Sequence, residues 1–314
     1  MLATIRPMPS CPLRRGILPV VQTPFDAHGR IDEQSLVRLV HATLDAGACG
    51  LLVPAVASEV DSLSADERLR ILTLVLDAAA GRVPILAGCS SPDPAESVRL
   101  ALAARRLGAA AFLAAVPQSC YHDPSGTLPF FESIAARADL PLVIQDLEWS
   151  GPGLSITVIE QLAARLPTLC GLKIETVPAG PKYTQVRRAI GPGFFIAGGW
   201  AAPQMIEALD RGVDAMIPEC SMVPVYDAVF QLHQSGHRAR AAELFRSLLP
   251  VLAYSNQEIR TSIAFFKRLL VRKGIFECEF LRGQPFPWDE FNSRIAGELI
   301  RHYLDLESSC RPSQ

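Results

Sequence analysis

A lysine set inside an apolar segment is the residue with the most chemistry to offer. Residues 169–175 read Leu-Cys-Gly-Leu-Lys-Ile-Glu. In a strand, successive side chains face opposite ways. Leu172 and Ile174 then share one face, and Gly171, Lys173 and Glu175 the other. An ammonium group is costly to bury in apolar surroundings. A lysine escapes that cost by giving up its proton, and the neutral amine is a nucleophile toward carbonyls. The same residues permit a plainer outcome, an ion pair between Lys173 and Glu175 or another carboxylate. The heptapeptide alone leaves both open.

The elements that must position this lysine repeat along the chain. Short apolar runs occur at Ile17–Gln22, Gly50–Ala55, Val83–Gly88, Ala110–Val116, Pro141–Leu147, Leu169–Glu175, Phe194–Gly199 and Asp214–Pro218. Most lack strict alternation, as expected for strands covered on both faces. Helical patterns separate them. Asp32 introduces one at Asp32–Ala46, and Ser64 with Glu67 forms a capping box for Ser64–Ala80. Pro94–Leu107 stops at Gly108, and Leu128–Ala138, Thr157–Leu166, Lys182–Ile190 and Pro203–Arg211 follow. Eight successive β-α units predict an α/β fold, a (β/α)8 TIM barrel, over a doubly wound sheet. A doubly wound sheet carries a glycine-rich loop after its first strand; here that place holds Gln22-Thr23-Pro24-Phe25. Four more helical patterns, Val223–Gln234, Arg238–Tyr254, Thr261–Lys273 and Phe291–Leu306, make a C-terminal helical extension. The expected organisation is an N-terminal arm over 1–15, a barrel over 16–222 and a helical region over 223–314.

Composition excludes several classes. The chain has 314 residues, 49% hydrophobic and 20% charged, with a formal net charge of −2. That suits a large packed core and gives no footprint for nucleic acid or an anionic membrane. No apolar run reaches transmembrane length, and the first 15 residues lack the apolar segment of a signal peptide. The eight cysteines contain no Cys-x-x-Cys pair and no histidine at metal-ligand spacing. They read as small buried hydrophobes in a reducing cytoplasm.

In a barrel of this kind, chemistry sits at the C-terminal ends of the strands. Lys173, Glu59, Gln145 to Glu148, Gly198-Gly199-Trp200 and Glu219 all fall there. In order and spacing the chain resembles the dihydrodipicolinate synthase / N-acetylneuraminate lyase family over about residues 15 to 300. The resemblance rests on four segments: Gly16-Ile-Leu-Pro-Val-Val-Gln-Thr-Pro-Phe25, Gly50-Leu-Leu-Val-Pro-Ala-Val-Ala-Ser-Glu59 with Leu63-Ser64-x-x-Glu67-Arg68, Gly171-Leu-Lys-Ile-Glu175, and Ala197-Gly198-Gly199. It implies a class I lyase, an aldolase or dehydratase, in which Lys173 condenses with the ketone of a 2-oxo acid such as pyruvate. The protonated imine is an electron sink that lets a bond beta to it break or form. The resemblance also implies that the loop at Val56, Ala57 and Ser58 holds the substrate carboxylate through backbone N–H groups. By family position, Gly198 and Ile217 line the floor near the imine. No metal or organic cofactor is implied, and the expected assembly is a homo-oligomer, a tetramer or dimer.

The chain departs from the family pattern at its proton-relay positions. The loop that usually reads Gly-Thr-Thr-Gly-Glu is Ala55-Val-Ala-Ser-Glu59, without either threonine. Glu59 reads better as a loop-stabilising carboxylate than as a catalyst. The strand-five tyrosine is replaced by Gln145, which hydrogen-bonds but does not transfer protons near neutral pH. Tyr121 and His122 lie near the family's aromatic pair, although a polar loop is their plainer role. The arginine used by the true synthases has no counterpart in Leu147-Glu-Trp-Ser-Gly151. Gln145, Asp146, Glu148 and Glu175 are the polar groups supplied instead, and any carboxylate raised by burial is a candidate base. Trp149 and Trp200 are candidate pocket walls, and Lys182 reads as a solvated lysine. The expected function is a Schiff-base lyase on a 2-oxo acid, such as a sugar-derived 2-keto-3-deoxy acid, and not the true synthase. Two alternatives stand beside it: a barrel that binds or senses a keto acid without turnover, and a phosphate-binding barrel using Gly198-Gly199.

Overall fold

The computed structural model describes residues 10–200 and 202–310. The expected arm over 1–15 therefore lies mostly outside the described residues. In chain order the first elements are β1 (Gly16–Ile17), α1 (Glu33–Asp45), β2 (Leu51–Val53), α2 (Ala65–Ala79), β3 (Ile85–Gly88) and α3 (Pro94–Leu107). Next come β4 (Ala111–Ala115), α4 (Ser119–His122), α5 (Thr127–Ala138), β5 (Leu142–Leu147), α6 (Ile156–Arg165), β6 (Leu169–Glu175) and α7 (Gly180–Ile190). The remainder are β7 (Phe195–Gly198), α8 (Met205–Asp210), β8 (Ala215–Met216), α9 (Val223–Gln234), α10 (Arg238–Ser255), α11 (Ile259–Arg272) and α12 (Glu290–Cys310).

The strands form one sheet in the order β1-β8-β7-β6-β5-β4-β3-β2, and the pairs from β3 to β8 are parallel. Beyond β1, Val20 is bridged to Leu52 on one side and to Glu219 on the other. This is the strand order of the expected (β/α)8 barrel, with the C-terminal helices following it. Among the described residues no helix is long and apolar enough to cross a membrane.

The chain divides by contact into two compact units that interleave in sequence. The first holds Pro84–Gly199 and Glu207–Met216 with the segment before β1. Its centre is the β5–β6 pair, where Val143 to Leu147 stand opposite Gly171 to Glu175. Leu142 pairs with Leu169, and Val143 with Gly171, so Cys170 is the extra residue of a β-bulge. Beyond the bulge the alternation is regular. Gln145 lies level with Lys173 and Ala197, while Asp146 lies level with Ile174 and Gly198. The helices of this unit begin where the sequence supplies caps. The Asp93 carboxylate accepts from Ala95 N ahead of Pro94, and the Ser155 hydroxyl accepts from Val158 N.

The second unit holds Gly16–Val83, Trp200–Ile206 and Ile217–Gln314. Its helix starts also follow the sequence: Asp32 caps α1, and Ser64 with Glu67 closes the capping box of α2. A buried polar knot ties the loop after β2 to the C-terminal region. The Glu59 carboxylate accepts from Lys267 Nζ on α11 and, at 2.9 Å, from Arg282 N. Arg282 also donates to both Glu67 oxygens, at 2.6 and 2.8 Å, and this holds the Glu67 carboxyl down to about 2. Both cations lie against the Phe25 ring, Lys267 Nζ 4.4 Å and the Arg282 guanidinium 4.3 Å from its centroid.

Lys267 is fully buried, and burial lowers its pKa against the opposing pull of Glu59. Removing one member of such a pair strands the other. Glu59→Ala is expected to destabilise the protein by about 3–5 kcal/mol in urea unfolding. The double variant Glu59→Ala/Lys267→Met should recover much of that loss, and equal losses in the two variants would contradict the pairing.

Candidate active site

Lys173 is 3% exposed on β6, and its Nζ lies 3.0 Å from Glu175 Oε2. Gln145 Nε2 donates to the same oxygen at 2.6 Å. Two side chains from adjacent strands thus converge on one carboxylate oxygen of a third. Alternation accounts for the grouping: Lys173 and Glu175 are two apart on β6, and Gln145 is the register partner of Lys173 on β5. Two glycines permit this close packing. A Cβ on Gly171 would come within 2.6 Å of Phe195 O, so β6 and β7 approach closely just before the lysine. A Cβ on Gly199 would collide with Glu175 Oε1. The ion pair that the sequence left as one option is therefore present. A buried pair of this kind adds little net stability. Its chemical capacity lies in moving a proton from the ammonium to the carboxylate, which leaves an amine able to attack a carbonyl.

The opposite face of β5 and β6 carries a separate polar cluster. Lys182 Nζ on α7 lies 2.5 Å from Asp146 Oδ2 and donates to Pro152 O at 2.5 Å. Tyr121 Oη donates to Asp146 Oδ1 at 3.0 Å, and Leu154 N donates to the same carboxylate. Burial raises the Asp146 carboxyl and lowers the Lys182 ammonium. It also pushes the Tyr121 hydroxyl up. Lys182 is thus not the solvated lysine its sequence position suggested: it is 6% exposed, because a carboxylate 36 positions earlier faces the first turn of α7. Tyr121 is committed to Asp146, not to Gln145 or Lys173. Gly198 belongs to this side as well, since a Cβ there would lie 2.7 Å from Tyr183 Oη.

The remaining carboxylate of this segment, Glu148, accepts from Gly153 N at 2.6 Å and shapes the turn after β5. Trp149 is 49% exposed. Of the four polar groups considered from sequence, Glu175 pairs with Lys173 and Gln145 joins them through the same carboxylate oxygen. The partnership was invisible without the register, which places position 145 beside position 173.

The other predicted site residues lie in the second compact unit. Val56–Ser58 is a 3-10 turn. The Ser58 hydroxyl is buried and internally used, donating to Val21 O and accepting from Ala55 N at 3.0 Å. Glu59 has the stabilising role expected of it, in the knot with Lys267. Ile217 is buried. Glu219 is fully buried; its Oε2 accepts from Gln22 Nε2 at 3.1 Å and from Ser221 N, and its Oε1 has no hydrogen-bond partner. Burial raises its pKa.

With this geometry in hand, comparison with known proteins is decisive. A family model for the dihydrodipicolinate synthetase family matches residues 13–287. The chain belongs to the dihydrodipicolinate synthetase family. Members of the family are class I Schiff-base lyases and dehydratases. The chain is 31% identical over 241 residues to 4-hydroxy-tetrahydrodipicolinate synthase of Rhizobium meliloti, covering 76% of this chain and 81% of that protein. It is 28% identical over 300 residues to L-2-keto-3-deoxyarabonate dehydratase of Azospirillum brasilense, covering 93% and 94%. Among solved structures it matches the dihydrodipicolinate synthase of Rhodopseudomonas palustris with a TM-score of 0.85 and 22% identity, over 94% of this chain and 99% of that one. The last likeness shows the fold, the (β/α)8 barrel of the family.

One consequence for stability concerns the strand-eight carboxyl. With its folded pKa raised, Glu219 binds its proton more tightly in the native chain than in the unfolded one. The native state then holds more protons above about pH 4.3, the unfolded value, so stability falls as pH rises from there to the folded pKa. Glu219→Gln removes this loss. Urea unfolding across pH 4 to 8 should show the wild type losing ground to the variant by up to about 1.4 kcal/mol per pH unit. A constant gap across that range would count against a protonated Glu219.

Proposed function

We propose that this family member is a Schiff-base lyase acting on a 2-oxo acid, and specifically a dehydratase of a sugar-derived 2-keto-3-deoxy acid. The observation that carries the reading is the contact of Lys173 Nζ with Glu175 Oε2 under the hydrogen bond from Gln145. Lys173 passes a proton to Glu175 and attacks the C2 ketone of the substrate, and loss of water gives the protonated imine. Glu175, ionised again, removes a proton from C3, and the electrons move into an enamine. The enamine expels the C4 hydroxyl, which leaves as water with the proton Glu175 returns. Water then hydrolyses the imine, releasing the unsaturated 2-oxo acid and restoring the amine. Gln145 holds Glu175 in place and orients the departing hydroxyl.

Two further observations favour dehydration over the synthase reaction. Gln145 stands where the family's tyrosine transfers protons, so the working base must be another group, and Glu175 is the carboxylate in reach. The similarity to the keto-deoxyarabonate dehydratase runs over nearly the whole of both chains.

The test is turnover of a panel of 2-keto-3-deoxy acids in deuterium oxide. Wild type should exchange C3 hydrogen and release a product lighter by one water. Lys173→Ala should abolish both, and Glu175→Gln should lower kcat by about 10²–10⁴-fold. Full activity in Glu175→Gln would remove the carboxylate from the mechanism. Imine formation without turnover on any panel member would favour the alternative of a keto-acid binder, for which the loss of the relay tyrosine at position 145 is the supporting feature.

A further inference from the structure

Two cysteines far apart in sequence meet at the start of β6. Cys170 is the bulge residue of that strand and is buried. Its Sγ lies 3.4 Å from Cys11 Sγ, donating toward it, and 3.4 Å from Leu142 O. The bulge matters here, because an inserted residue re-aims its side chain out of the regular alternation. Cys11 is only partly buried. Its segment is anchored by Leu13, which is buried, and by Arg15, 3.9 Å from Asp214. The two sulfurs are therefore held in contact by packing on both sides, with Cys11 the less buried of the two residues.

We propose that Cys11 and Cys170 are an oxidative modification site, closing to a reversible disulfide that ties the segment before β1 to the strand bearing Lys173. The oxidant is a peroxide. The Cys11 thiolate attacks the peroxide oxygen, the O–O bond breaks, and Cys11 becomes a sulfenic acid as water leaves. The Cys170 sulfur then attacks the sulfenic sulfur, its proton departs with the hydroxyl as a second water, and the S–S bond forms. Two thiols have lost two electrons in total and one peroxide has gained them. A dithiol reductant reverses the bond by exchange.

The division of labour follows from the surroundings. The hydrogen bond from Cys170 lowers the Cys11 pKa, favouring the thiolate at the less buried of the two positions. The same contact, together with burial, raises Cys170 and keeps it a thiol until the sulfenic acid is presented. A pair so arranged reacts first at the outer sulfur and resolves at the inner one.

The experiment uses the full chain at neutral pH, treated with a few equivalents of hydrogen peroxide and digested without reductant. The expected result is a cross-linked peptide joining Cys11 to Cys170, 2 Da lighter than the sum of its parts, with a melting temperature raised by about 5 °C. Dithiothreitol should reverse both. Cys11→Ser, which changes only a partly exposed position, should lose the cross-link and the shift while folding normally. Cys170→Ser should lose them too. Recovery of Cys11 as a sulfinic acid with Cys170 still a thiol, pairing of either with another cysteine, or no change in either would overturn the proposal.

Discussion

A single carboxylate oxygen governs the candidate site. Glu175 Oε2 takes both the Lys173 ammonium and the Gln145 amide, in a place where water does not dilute the interaction. A buried cation demands a partner, and on this face of β6 the partner comes from the same strand two residues on. Much of the local sequence serves that contact. Glycine at 171 allows β7 to approach, and glycine at 199 leaves room for the Glu175 side chain. The lysine is thereby held with a carboxylate at hydrogen-bond distance.

The strand pleat keeps this centre apart from a second charged system. Gln145 and Asp146 are neighbours in sequence and face opposite ways, one toward Lys173 and the other toward Lys182 and Tyr121. Asp146 therefore anchors α7, α4 and the turn at 152–154 without competing for the Lys173 amine. The knot of Glu59, Lys267 and Arg282 does comparable work in the second compact unit, fastening the loop after β2 to α11 and to the segment following it. In both units a buried lysine holds an element in place, and Lys173 shares its carboxylate with an uncharged amide donor from the adjacent strand.

Much of this was readable in the sequence, and the gaps have physical causes. Eight apolar runs marked the eight strands, and caps such as Asp32 and Ser64 marked helix starts. Strands one, two and eight came out shorter than their runs because Pro19, Pro54 and Pro218 lack the N–H a ladder needs. The four-residue helix α4 is too short to show a period. Lys173 stood out because an ionisable group in an apolar strand is conspicuous, and Glu175 was near enough to be weighed as its partner. Gln145 as the third member depends on register, and so does the burial of Lys182 by Asp146. The Cys11–Cys170 contact depends on a bulge that no periodicity predicts. Local chemistry is written locally, while partnership between distant residues is settled by the fold.

The measurement that bears most directly on this account is borohydride reduction of the protein in the presence of pyruvate and of 2-keto-3-deoxy acids, followed by peptide mass mapping. A stable adduct is expected on the peptide containing Lys173, of the substrate's mass less the water lost on imine formation and plus the two hydrogens of reduction, and absent from Lys173→Ala. A protein that gives no adduct with any of these acids, or carries it on Lys182 or Lys267 instead, would contradict it.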